Sequence, residues 1–115
     1  MTFHIDEFSE KIEQLVGICQ DEIRFYQDNY FTKRTPEFFC LELNGEAGEL
    51  ANLEKKSWKG KQINSEDFAD EAADVFIALM NYSNARKINL GNAIKNKLNV
   101  IDKKRIILKD KGEDY

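Results

Sequence analysis

The sequence predicts an all-α protein, a bundle of four to five helices. Three observations lead there. The 115 residues include one proline and only six glycines, so few turns are available. Apolar residues recur at three- and four-residue spacing over long runs, as on one face of a helix. The breaks between these runs carry helix start and stop signals.

Phe8, Ile12, Leu15, Cys19, Ile23, Tyr26 and Tyr30 define a first helix over about 6–31. After a break at 32–35, Thr35-Pro36 combines an N-cap threonine with proline at the first helical position. It opens a second helix that runs to about Trp58. Lys59-Gly60-Lys61 ends it, since glycine and basic residues suit a helix C-terminus. Asn64 or Ser65 caps a third helix, with Glu66 and Asp67 in its first turn, continuing to about Arg86. Asn89 caps a fourth, with Leu90, Ile94, Ile101 and Leu108 on one face. Short connections make neighbouring helices antiparallel. The chain reads as a single domain over 1–115, with 110–115 a frayed tail.

Bulk properties narrow the function. A net charge of −4 argues against a nucleic-acid polymer as partner. No apolar run approaches a membrane span, and the N-terminal MTFHIDEFSEKI lacks the basic and apolar regions of a signal peptide. Cys19 and Cys40 lie in helical patterns without metal-ligand spacing, as expected of reduced core thiols in a cytoplasmic protein.

The third helix is unusual. Phe68, Ala69, Ala72, Ala73, Val75, Phe76, Leu79 and Met80 cover well over half its circumference, so burial on several sides is expected. The rest is an acidic strip containing Asp67, Asp70, Glu71 and Asp74, extended by Asn81. The second helix carries Glu46 and Glu49, with Glu42 on the same face and Gly45 and Gly48 beside them. Like charges at this spacing cost a few tenths of a kcal/mol each. Glu46–Glu49 and Glu71–Asp74 are both i, i+3 pairs, so each pair projects in one direction. On packed antiparallel helices the four carboxylates can converge. Uncompensated, they would raise one another's pKa values. A hard divalent cation resolves that repulsion, and Mg²⁺ usually keeps waters and room for substrate phosphates. His4 is the only histidine, so borderline metals and di-iron chemistry fit poorly. The plain alternative is a solvated acidic face.

At these residues the chain resembles a known family. GEAGEL at 45–50, followed by DEAADVFIAL at 70–79, looks like the MazG-like all-α nucleotide pyrophosphohydrolases, over roughly residues 22–105. Many members open the first motif with two adjacent glutamates. Here Gly45 takes the first of those places, a form similar to the smaller MazG-like proteins. The resemblance implies Mg²⁺-dependent hydrolysis of a (deoxy)nucleoside triphosphate to monophosphate and pyrophosphate, with Mn²⁺ as a substitute metal and house-cleaning of non-standard nucleotides as a role. It implies Glu46, Glu49, Glu71 and Asp74 as metal ligands, with Glu49 or Glu46 assisting the attacking water. The alternative function is a non-catalytic helical module binding nucleotide or protein.

Further candidates for substrate contact are each paired with a plainer reading. Lys97 and Lys104 sit near the apolar face of the fourth helix, as phosphate ligands or as snorkelling stems; Arg105 joins them. Asn81 could bond a base or sugar, or be a satisfied buried amide. Trp58 could stack on a base or pack at a helix end. Arg34 stands where related chains often have histidine and is a candidate phosphate contact. Phe25, Tyr26 and Tyr30 read chiefly as core aromatics. With such broad apolar faces, a core completed by oligomerisation is expected, as a homodimer or a dimer-of-dimers tetramer.

Overall fold

The computed structural model describes residues 2–115, which form four α-helices: α1 (Ile5–Tyr30), α2 (Pro36–Trp58), α3 (Ser65–Ala85) and α4 (Leu90–Asp110). No strand occurs among the described residues. No helix is long and apolar enough to cross a membrane. The described chain divides into two compact units, one of residues 2–21 and 88–115, the other of Glu22–Lys87.

The helix ends follow their local chemistry. The Thr35 hydroxyl accepts from the Phe38 N–H at 3.3 Å, and Asn89 Oδ1 accepts from the Asn92 N–H at 3.0 Å. Asn64 holds the N-cap position of α3 without a side-chain cap bond. Two C-termini close in the same way. After α2 the Gly60 N–H donates to Ser57 O and the Lys61 N–H to Lys56 O; after α4 the Gly112 N–H donates to Lys109 O and the Glu113 N–H to Leu108 O. Both are Schellman turns. Their glycines sit at φ +95° and +73°, where a side chain is disfavoured. At the end of α3 the equivalent position is Lys87, at φ +60°, whose N–H donates to Asn84 O at 3.1 Å.

In the first unit the middle of α1 meets the start of α4. Gln20 is buried, donating from Nε2 to Ile88 O at 2.8 Å and accepting at Oε1 from the Leu90 N–H at 2.9 Å. One side chain thus satisfies two backbone groups where the chain enters α4. At the next residue, Gly91 lies so close to α1 that a Cβ there would stand 2.5 Å from Glu13 O.

In the second unit α2 and α3 pack together. Glu46 lies against Asp74 and Glu71, and Glu49 against Glu71. Positions rise on one helix as they fall on the other, so the pair is antiparallel.

The chain's own core is thin. Phe39, Ala78 and Met80 are the buried apolar residues among those described. The broad apolar surface of α3 is not enclosed by its own chain: Phe76 and Ile77 are 45% and 48% exposed. Phe25, Tyr26 and Tyr30, expected in the core, are exposed too. Helical spacing identifies a shared face but not what covers it. Both cysteines are free thiols; Cys19 is half-buried, and Cys40 is exposed rather than in the core.

Candidate functional site

α2 and α3 bring their acidic pairs together. Carboxylate oxygens of Glu46, Glu49 and Glu71 lie within 4.8 Å of one another, as do those of Asp70, Glu71 and Asp74. Glu71 belongs to both groups and links them. Glu46, Glu71 and Asp74 are half-buried, while Glu49 and Asp70 are exposed. The i, i+3 spacing turns each pair toward the facing helix, and antiparallel packing sets the pairs opposite each other.

The electrostatics are unfavourable without a counter-charge. Burial, with Glu49 and Glu46 beside it, pushes the Glu71 carboxyl up to about 7. Burial, then Glu49, raises Glu46 as well. One Oε2 atom on each of Glu46 and Glu71 is buried and accepts no hydrogen bond from any donor. A proton retained between the carboxyls, an ordered water or a cation would satisfy such atoms. The donor set is oxygen alone, with no thiol or imidazole in either group. That set fits a hard divalent cation such as Mg²⁺.

A cavity of about 500 Å³ adjoins the cluster, with Glu42, Glu46 and Asp74 in its wall. Tyr26, Phe31, Phe38 and Phe39 supply aromatic surface, while Arg34 and Asn81 supply polar groups. The Arg34 guanidinium carbon stands 4.6 Å from the centroid of the Phe38 ring. Asn81 is buried with its residue in the wall. The volume is within the range of small-molecule sites, and acidic, aromatic and amide groups all face it.

Of the ten residues read from the sequence as metal or substrate contacts, the structure brings six together here: Glu46, Glu49, Glu71 and Asp74 in the cluster, and Asn81 and Arg34 in the cavity wall. Trp58 ends α2 at 91% exposure, neither packed nor in the cavity. Lys97, Lys104 and Arg105 belong to α4 in the other unit. There, Lys104 Nζ lies 5.2 Å from the centroid of the Tyr115 ring, and Arg105 pairs with Asp102 at 2.9 Å. Sequence reasoning missed Asp70 as a cluster member and Phe31, Phe38 and Phe39 as cavity wall. The run of aromatics on either side of the Thr35-Pro36 helix start was an available signal.

No protein-family model, curated protein or solved structure matches this chain.

Proposed function

We propose that the chain is a metal-dependent nucleoside triphosphate pyrophosphohydrolase of the MazG-like kind. The observation that carries this reading is the pair of buried, donorless carboxylate oxygens on Glu46 and Glu71 beside an aromatic-walled cavity. The all-α fold and the acidic cluster are compatible with that family. A solvated acidic face would leave no oxygen buried and unpaired.

Glu46, Glu49, Glu71 and Asp74 would hold the cation. A divalent ion held there neutralises phosphate charge and lowers the pKa of water. The chain's own residues do the rest. The aromatic rings of Tyr26, Phe31 and Phe38 offer stacking surface for a base, and Asn81 offers an amide to base or sugar. Glu49, the exposed member of its group, is placed to accept a proton from the attacking water, with Glu46 as second candidate. The water oxygen bonds to the α-phosphorus, the bond from that phosphorus to the α–β bridging oxygen breaks, and pyrophosphate leaves with that oxygen.

The reading includes a homodimer, or a tetramer built from dimers. Its support is the thin core and the exposed large apolar residues, among them Leu15, Ile18, Phe25, Leu41 and Ile107. A monomer of this size that leaves so much apolar area in water lacks the burial that stabilises a fold.

Pyrophosphate release from a panel of standard and modified triphosphates, with and without Mg²⁺, tests the activity. Turnover that requires the metal and falls about 100-fold or more in Glu49→Gln or Glu46→Gln supports it. Nucleotide binding without turnover on any substrate would instead identify a binding module.

A further inference from the structure

A second cavity, about 660 Å³, opens beside the first and shares Gln27, Arg34, Phe39 and Asn81 with it. Its character is opposite. Arg24, Lys33, Arg34 and Lys87 line it against one carboxylate, Asp28, in a chain whose net charge is −4. The last turns of α1, the turn before α2 and the end of α3 supply these walls. Among the described residues no ion pair joins Lys33, Arg34 or Lys87 to a carboxylate. Asn84 and Thr35 add polar groups to the wall.

Lys87 makes the pattern specific. It occupies the left-handed position that ends α3, where α2 and α4 use Gly60 and Gly112. A lysine there costs stability that glycine would not. The chain keeps a cation at a backbone position suited to glycine, and that cation lines the basic cavity.

We propose that this cavity binds a phosphate-type oxyanion, with Lys33, Arg34 and Lys87 as its ligands. The anion has two possible sources. It is either a free phosphate or pyrophosphate, or a second anionic group on the molecule whose aromatic part occupies the adjoining cavity. Lysine and arginine residues around a recess of this size suit a tetrahedral anion, which takes several charge-assisted bonds at once. The second source rests on the proposed function; the first does not.

Calorimetric titration of the full chain with inorganic pyrophosphate in EDTA tests the site apart from any metal chemistry. Without a cation, the acidic cluster repels the probe. The wild type binds, the Lys33→Glu/Lys87→Glu double variant loses at least tenfold in affinity, and a Lys55→Glu/Lys56→Glu control with the same charge change outside both cavities binds as the wild type does. Lys87→Gly melts higher than the wild type yet binds several-fold more weakly, a combination that general unfolding cannot produce. Comparing a nucleoside 5′-triphosphate with its 3′-phosphorylated counterpart separates the sources. Tighter binding of the latter, abolished in the double variant, assigns the site to a substituent; pyrophosphate binding without that gain assigns it to a free anion. Unchanged pyrophosphate affinity in the double variant, or no binding of pyrophosphate and no gain from the 3′-phosphate in the wild type, overturns the proposal, and neither outcome bears on hydrolysis at the acidic cluster.

Discussion

Replacing Glu71 by glutamine removes one charge from the residue that links both carboxylate groups, and keeps its shape. The size of the effect follows from where Glu71 titrates. Its carboxyl is pushed up to about 7, against an ordinary 4.5. At pH 8 about nine-tenths of the metal-free chains carry the charge there, and at pH 5.5 almost none. For the folded wild type, a raised carboxyl pKa means that the native state holds a proton the unfolded state has lost. Between about 4.5 and 7 stability therefore falls as pH rises, and the contribution present below 4.5 is gone above 7. Glu71→Gln flattens this slope. Without metal its melting temperature exceeds that of the wild type most at pH 8, less at pH 5.5, and the two converge only below about 4.5. Mg²⁺ offsets part of this difference. At roughly tenfold excess over its Kd, a ligand of the folded state alone raises the melting temperature of a domain this size by roughly 5–10 °C. The wild type shows that rise at pH 8 and little at pH 5.5, where protons compete with the cation; the variant shows little at either. Differential scanning fluorimetry across pH, with EDTA or Mg²⁺, reads all four conditions. An equal Mg²⁺ response in wild type and variant would refute the metal reading, and a pH-independent difference between them would refute the electrostatic one.

Other expectations follow from the packing. Gly91→Ala puts a Cβ 2.5 Å from Glu13 O, backbone that cannot swing away; a loss of about 1–3 kcal/mol in urea unfolding outweighs a helix-propensity gain of at most about 1 kcal/mol. Gln20→Ala leaves the Ile88 carbonyl and the Leu90 N–H without their partner, and about 2–4 kcal/mol of stability is lost. Tyr26→Ala removes stacking surface from the cavity; KM for the best triphosphate rises about 5- to 100-fold with kcat less affected, and an unchanged KM would take the base out of this cavity. Light scattering at micromolar concentration gives at least twice the 13.4 kDa chain mass, and a charged replacement such as Phe25→Glu lowers it if that exposed ring belongs to the interface.

The sequence by itself determined the helices. Thr35-Pro36, Gly60 and Asn89 act through bonds to residues a few positions away, so their effect is readable without the fold. The acidic pairs were legible for the same reason: i, i+3 spacing sets a common direction whatever lies opposite. Only the tertiary structure decided which faces meet. It made Glu71 the shared member of two groups, added Asp70, and walled the cavity with Phe31, Phe38 and Phe39. It also left Trp58 in solvent, and Phe25, Tyr26 and Tyr30 outside the core that their periodicity suggested. Periodicity records that a face is apolar. What covers that face depends on a partner element far along the chain or on another subunit, and no local spacing encodes that.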